Sequence, residues 1–264
     1  MNGDAVGQPR RAQPQTLALG FWLASRGLGS RLALVFTLGL AITGAAAAFW
    51  LVRHGANTLA AVPTVTAYAL TWGAGLTLAA AASIRAPYRD AETGVLALFL
   101  ARGATLREYV RARIAGLMLW IALWVGGGTL VAIAGTLAAA RPTEAVLRSS
   151  VGALMYSLAF CAMAGPVAMA TLGAQARLRG YLALLLVVVV PELAASWTER
   201  QVLPEGWSEL ASLPEALGAL RAAAVAPPDL LRTARALAGL TAVVAVSLVV
   251  ATAHAARAAE RSLP

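Results

Sequence analysis

The sequence predicts an all-α integral membrane protein with six transmembrane helices. Of its 264 residues, 59% are hydrophobic and only 12% are charged, and the mean hydropathy is +0.73. A soluble domain has about 25% charged residues. Six apolar runs have roughly the length that an α-helix needs to cross the hydrocarbon core. These predicted spans cover residues 32–52, 59–84, 114–140, 151–172, 181–197 and 236–256.

Residues 1–31 are predicted to form a tail that contains an amphipathic helix in the membrane interface. Thr16 is a suitable N-cap residue for this helix. The aromatic pair Phe21 and Trp22 suits the headgroup region of a bilayer. The alternative is a disordered tail, which the aromatic pair makes the weaker interpretation.

The arginines predict which side of the membrane each loop faces. Fourteen of the 21 lie in the two tails and in the second and fourth loops, whereas seven lie in the other loops beside seven acidic residues. By the positive-inside rule, both termini (1–31 and 257–264) and the second loop are cytoplasmic. The protein is therefore predicted to be a multi-pass protein of the bacterial cytoplasmic (inner) membrane. This topology also explains the net charge of +9 without a nucleic-acid partner.

The predicted spans are almost free of ionisable residues. The runs 32–52, 59–84, 114–140, 151–172 and 236–253 contain no Asp, Glu, Lys, Arg or His, and Glu192 is the exception in the fifth run. Ion-coupled transporters need such groups at membrane depth. A chain without them is a scaffold or takes energy from a partner. The chain contains no lysine, so it has no Walker A motif of its own.

Residues 89–105, between the second and third spans, are predicted to form a short cytoplasmic helix. Asp90 is a suitable N-cap, Glu92 lies in the first turn, and the helix would continue through Ala101. Val95, Leu98, Phe99 and Arg102 follow helical spacing and would form one apolar edge that ends in a cation. Thr105 and Glu108 form a capping box for the next helix. Such a helix suits a groove on a soluble protein, and the alternative is an arginine-rich loop that only sets topology.

The pattern Asp90-x-Glu92-x-Gly94-x-Leu96-x-x-x-Leu100-x-Arg102-Gly103-x-Thr105-x-Arg107-Glu108 resembles the segment after the second span in ABC transporter permeases of the type-two exporter class. In that family this segment is the coupling helix, which docks on the ATPase. The resemblance implies two copies of an ABC ATPase subunit, which bind the cofactors ATP and Mg. It also implies a second permease chain, identical or related, in contact with membrane lipid. The docking residues it implies are Asp90, Glu92, Gly94, Val95, Leu98, Phe99 and Arg102.

The segment 165–191 is similar to haem-exporter B permeases of cytochrome c maturation. A small-residue helix, a two-arginine turn and a leucine/valine run that ends in proline occur there in the same order. The long external connection of this chain departs from that subfamily.

Residues 192–235 are predicted to form this external connection. Pro191 would cut the fifth span short next to Glu192, and Trp197 and Trp207 suit the headgroup level. Ser212 and Glu215 form a capping box for a helix that runs to about Ala226, and Asp229 would cap the sixth span. The family resemblance implies that short helices re-enter the membrane here as an outer gate. The alternative is a loop on the membrane surface.

The function predicted from these features is a permease subunit that exports a hydrophobic or amphiphilic substrate, driven by a separate ATPase. The chain itself would not be an enzyme. The alternatives are an intramembrane enzyme and a scaffold without transport. An enzyme needs a nucleophile–base pair or a metal cluster, and the two histidines, His54 and His254, fall at opposite membrane faces in this topology. No catalytic residue and no metal ligand is predicted.

Small residues recur in the second and third spans. They are suited to a dimer or translocation seam and equally to ordinary helix packing, and the sequence leaves both open. The residues are Gly73, Gly75, Gly126, Gly127 and Gly128.

Overall fold

The computed structural model describes residues 13–26, 28–54, 59–139, 143–198 and 208–262, and every regular element in these ranges is a helix. Two π-helical turns, Leu70–Gly75 and Ala122–Gly126, join helices end to end within the second and third apolar runs. The helices in chain order are α1 (Gln13–Ser25), α2 (Leu28–Arg53), α3 (Ala61–Ala69), α4 (Leu76–Ser83), α5 (Ala86–Glu92), α6 (Val95–Ala101), α7 (Leu106–Ile121), α8 (Gly127–Ala139), α9 (Glu144–Thr171), α10 (Arg177–Thr198), α11 (Ser208–Ala211), α12 (Leu213–Val225) and α13 (Leu230–Ser262).

Five helical stretches among the described residues are long and apolar enough to cross a membrane. They correspond to the first, second, third, fourth and sixth predicted spans. Their bounds are Leu34–Arg53, Ala61–Glu92, Leu106–Ala139, Glu144–Thr171 and Leu230–Arg261. The structure thus has the helical content and the long apolar helices expected of a multi-pass membrane protein.

The fifth predicted span forms one uninterrupted helix, α10, of 22 residues, which is not among those five. Pro191 lies inside α10, and the helix continues to Thr198. The prediction that Pro191 cuts the span short is therefore wrong. Proline removes one backbone hydrogen bond, but an apolar helix with packed neighbours tolerates this loss.

The N-terminal helix packs on the start of the third apolar stretch instead of lying apart from the bundle. A Cβ atom on Gly20 would lie 2.0 Å from the Ala112 carbonyl oxygen, and one on Gly116 would lie 2.1 Å from the Gly20 carbonyl carbon. Backbone therefore meets backbone where α1 crosses α7. The ring of Phe21 lies edge-on to Trp120 at 5.3 Å.

Two expectations for this helix are wrong. Because α1 begins at Gln13, Thr16 lies inside the helix and is not its N-cap. The polar residues of α1 lie at its two ends and not along one face, so it is apolar for most of its circumference instead of amphipathic. Leu23 and Ala24 are buried, while Trp22 is exposed under the guanidinium of Arg26, 3.3 Å from its ring centroid.

Helix α9 forms the centre of the described structure. It packs against α3, α7, α12 and α13, and most of its side chains from Tyr156 to Thr171 are buried. Its largest fully buried side chains are Tyr156, Phe160 and Met169. The Trp72 indole N–H donates to the Tyr156 hydroxyl at 2.7 Å, which joins the second and fourth stretches.

The glycines near the two π-helical turns have different surroundings. A Cβ atom on Gly75 would lie 2.6 Å from the Phe160 ring, and one on Gly73 or Gly128 would lie 2.9 or 3.0 Å from side chains of this same chain. These three permit close packing inside the chain. A Cβ atom on Gly126 or Gly127 would have no described atom outside its own helix within 4 Å. Gly126 is buried and Gly127 is partly exposed, so the predicted seam with another chain stays open for Gly127 alone.

Candidate functional site

The segment between the second and third apolar stretches forms two short helices, α5 and α6, instead of one. Pro87 in the first turn starts α5 at Ala86, and Gly94 ends it with φ of +75°. Only glycine adopts this backbone conformation without strain. The predicted single helix capped by Asp90 is therefore wrong, because Asp90 lies inside α5 and the chain turns at Gly94.

A sharp turn at Arg85 sets the direction of α5. Arg85 has φ of 53° and ψ of 25°, in the left-handed region that few non-glycine residues occupy. Its backbone N–H donates to the Leu172 carbonyl at the end of α9, at 2.8 Å, and its guanidinium pairs with Glu92 at 2.7 Å. The turn is thus tied both to α9 and to the last residue of α5.

A buried ion pair joins α5 to α7. The Arg113 guanidinium donates to both carboxylate oxygens of Asp90, at 2.8 and 3.0 Å, and the Tyr109 hydroxyl donates to the same carboxylate at 2.7 Å. The two charged side chains are 3% and 4% exposed. Sequence reasoning missed this cluster, because 23 residues separate the pair and no local pattern relates them. The only available signal was Tyr109 and Arg113 at i, i+4 on one helix face.

Helix α6 divides the predicted apolar edge between the interior and the surface. Phe99 is 5% exposed and lies edge-on to Tyr109 at 5.5 Å, and Leu96 is fully buried. Val95 is half-buried, whereas Leu98 is 50% exposed. The prediction that Phe99 lies on an outward-facing edge is wrong, because the chain's own core occupies that side of α6.

Exposed residues recur along α6 at the spacing of one helix face, and we call this face, with the exposed Glu92 before it, the α6 surface. It contains an aliphatic side chain, small residues and one charge of each sign at its ends. It comprises Glu92, Gly94, Ala97, Leu98, Ala101 and Arg102.

The start of the next helix, α7, agrees with the sequence prediction. The Thr105 N–H donates to the Glu108 carboxylate at 2.7 Å, and the Glu108 N–H donates to the Thr105 hydroxyl at 3.2 Å. This reciprocal capping box begins α7. Gly103, with φ of +77°, makes the turn that precedes it.

The C-terminal part of α13 and the turn after α9 meet α5 at the same end of the molecule. His254 lies 3.0 Å from the Ala170 carbonyl oxygen, and the Arg261 guanidinium lies 5.8 Å from the Tyr88 ring centroid. A cavity of about 140 Å³ between these elements is lined by Arg85, Tyr88, Glu92, Gln175 and Arg261. Residues 257–262, predicted as a tail, belong to α13.

Between α10 and α13 the described chain forms the short helices α11 and α12. The Glu192 carboxylate accepts a hydrogen bond from Ser212, and Glu209 pairs with Arg232 at 2.9 Å. The backbone of α11 lies close against α13 at Gly239, where a Cβ atom would be 2.7 Å from the Leu210 carbonyl oxygen. These contacts hold α11 against both α10 and α13.

The predicted N-caps at Ser212 and Asp229 are confirmed, but Ser212 forms a single cap and not the predicted reciprocal box, because its N–H donates to the Ser208 carbonyl. The Ser212 hydroxyl accepts from the Glu215 N–H at 3.3 Å, and the Asp229 carboxylate accepts from the N–H groups of Leu231 and Arg232. Because Ser212 donates to Glu192, the first of these caps also joins α12 to α10. The Trp197 side chain and Trp207 lie outside the described part of the chain.

A scan against models of known protein families and a search of curated proteins find no match to this chain. Within the residues that the structure describes, no group of three or more His, Cys, Asp or Glu side chains is placed to hold a metal ion. The class of the protein therefore follows from its architecture: an all-helical chain with five apolar helical stretches long enough to cross a membrane.

Proposed function

We propose that this chain is the permease subunit of an ABC transporter of the type-two exporter class and exports a hydrophobic or amphiphilic substrate. The observation that carries the proposal is the α6 surface. A short helix, α6, exposes a leucine between two charged residues, and the buried pair of Asp90 and Arg113 joins α5 and α7, the helices on either side of it. Such a surface suits a groove on a soluble partner, here the ATPase.

The construction of this segment supports a role in transmitting force. The pair of Asp90 and Arg113 connects α5, which follows the second span, to α7, which begins the third. The turn at Arg85 is bonded to the end of the fourth span. A displacement of α6 by the ATPase would thus move three spans together. In this proposal two ATPase copies bind ATP and Mg, and two permease chains form the pathway.

The proposal includes six spans, with α10 as the fifth and with both termini in the cytoplasm. Helices α11 and α12 are then short re-entrant helices at the outer face, where they form the outer gate with the end of α10. The contacts of Glu192 with Ser212 and of one Glu209 carboxylate oxygen with Arg232 support this arrangement, because they pair polar groups that such helices would carry into the membrane.

Replacing Leu98 with Asp is expected to abolish association with the ATPase while the permease stays folded. Leu98 is 50% exposed, so the change spares the core, but in a complex it would bury an unpaired charge at a cost of several kcal/mol. We expect the affinity to fall by about a hundredfold or more. The measurement is co-purification from cells that express this chain together with the ABC ATPase proposed as its partner.

The matched control is Leu147→Asp. Leu147 is 47% exposed and lies near the start of α9, at the opposite membrane face in the proposed topology. It should retain the ATPase. Equal retention by both variants would refute the docking proposal and leave the segment with a topological role only. Phe99→Asp is not a usable test, because Phe99 is part of the chain's own core.

The proposed topology predicts which positions an impermeant thiol reagent reaches. In a Cys161→Ala background, which removes the buried native thiol, cysteines at Ala56 and Glu205 should be labelled from outside intact cells. A cysteine at the exposed Gly103 should be labelled only after the cells are opened. Labelling of Gly103→Cys in intact cells would show that this loop is external and that the proposed topology is inverted. Ala56 and Glu205 lie outside the described residues.

A further inference from the structure

A groove lies between the first turns of α7 and the C-terminal half of α13. Its volume is about 380 Å³, and its lining includes Arg107, Val110, Arg111, Leu248, Val249 and Ala253. The two arginines and Val249 are exposed, so the groove is open along one side. Apart from the two arginines and Thr252, whose hydroxyl donates to the Leu248 carbonyl at 2.7 Å, the lining is apolar.

The two arginines lie one helical turn apart on the same face of α7. None of the ion pairs formed by the described residues includes Arg107 or Arg111. The intervening carboxylate, that of Glu108, accepts from the Thr105 N–H and hydroxyl at 2.7 and 3.1 Å, within the capping box. Both guanidinium groups can therefore turn toward an anion at the mouth of the groove.

We propose that this groove binds an anionic phospholipid. Its phosphate would lie between Arg107 and Arg111, since the guanidinium group matches phosphate with paired N–H donors. One acyl chain would follow the apolar wall formed by Val110, Leu248 and Ala253. A soluble anion would use the arginines and leave this wall exposed. The assignment of this lipid to the cytoplasmic leaflet rests on the proposed topology, in which both arginines lie on the cytoplasmic side, where the leaflet is anionic.

The proposal places the lipid directly after α6. Arg107 is two residues beyond the Thr105 cap, and the groove joins the start of the third span to the end of the sixth. A bound lipid would therefore fix α7 against α13 beside the docking segment. Loss of this lipid is expected to loosen the two helices without breaking the pair of Asp90 and Arg113.

The test compares lipids retained by the purified permease. The protein is reconstituted with equal amounts of phosphatidylglycerol and phosphatidylcholine that carry the same acyl chains, and is then washed in detergent and weighed by native mass spectrometry. The unaltered chain should retain phosphatidylglycerol in preference. In the Arg107→Gln/Arg111→Gln variant that preference should fall about tenfold, because the two cations that favour the net-negative lipid over the zwitterionic one are lost.

Two further variants make the outcome specific. Arg177→Gln/Arg179→Gln removes the same charge from exposed positions in α10 outside the groove and should leave the preference unchanged. Ala253→Phe fills the apolar part, keeps both arginines, and should also lose the lipid. Equal loss in the two double variants, or equal retention of both lipids by the unaltered chain, would overturn the proposal. The measurement needs no ATPase, so failure of docking at Leu98 would not affect it.

Discussion

Replacing Asp90 with Asn is expected to lower the free energy of unfolding by about 3–5 kcal/mol, the usual cost of removing one partner from a buried ion pair. Asp90 is the carboxylate that compensates Arg113, and both side chains are almost completely buried. The substitution keeps the shape but leaves the guanidinium charge unpaired and the Tyr109 hydroxyl with a weaker acceptor. The measurement is unfolding of the purified protein in mixed micelles with increasing SDS.

Two comparisons separate this effect from a general weakness of α5. Glu92→Gln removes the pair with Arg85, whose side chains are 33% and 60% exposed, and should cost at most about 1 kcal/mol. Asp90→Leu combined with Arg113→Met replaces both charges and should recover part of the loss, since an apolar pair carries no desolvation penalty, whereas the buried Tyr109 hydroxyl still lacks its acceptor. An Asp90→Asn variant as stable as Glu92→Gln would show that the pair of Asp90 and Arg113 contributes little.

The same variants bear on the proposed coupling. If the buried pair transmits force from α6 to the second and third spans, the apolar double variant should bind the ATPase, because the α6 surface is unchanged. The double variant should nonetheless reduce transport-linked ATP hydrolysis, because the ion pair that connects α5 to α7 is replaced by a weaker apolar contact. Binding and turnover measured on one purified complex distinguish these two contributions.

Replacing Gly116 with Ala is expected to separate α1 from α7 and to destabilise the protein by about 1–3 kcal/mol, the range for overpacking a close contact. The added Cβ atom would lie 2.1 Å from the Gly20 carbonyl carbon and 2.3 Å from the Phe21 backbone nitrogen. These are backbone atoms, so no side-chain rotation relieves the overlap. The N-terminal helix must move, and the contact of Phe21 with Trp120 is lost with it.

Labelling of a buried position on α1 measures this separation. Ala24 is fully buried, so a cysteine there, in the Cys161→Ala background, should resist a small membrane-permeant thiol reagent. The same cysteine should react once Gly116 is replaced with Ala. The matched control is Gly127→Ala, in α8 of the same apolar stretch, where no atom lies within 4 Å of the new Cβ. It should be neutral or stabilising, as is usual for this change in a helix. Protection of Ala24→Cys in the Gly116→Ala variant would contradict the close crossing.

The sequence by itself determined the helical class, most helix positions and several helix ends. The length and apolarity of a run indicate whether that segment is suited to the bilayer or to water, and both properties depend only on residues that are neighbours in the sequence. The caps at Thr105 and Asp229 were predictable for the same reason, since the cap and the N–H groups it satisfies lie within three residues. Local caps and helical spacing also predicted a short helical segment near Asp90 and further helices between the fifth and sixth runs.

The tertiary structure alone decided which sides of these helices are covered. The residues next to Asp90 in the sequence predict an N-cap role for it. Its actual partner, Arg113, lies beside it only because α5 and α7 pack together. Phe99 and Leu98 have similar hydrophobicity and adjacent positions, and the location of Tyr109 determines that Phe99 is the buried one. Gly20 and Gly116 carry no pattern that relates them, since 96 residues of chain separate them and only the helix crossing brings their backbones into contact. Long-range packing has no periodicity along the chain, and for this reason the sequence predicted the segment that we propose as the docking site but not its exposed face.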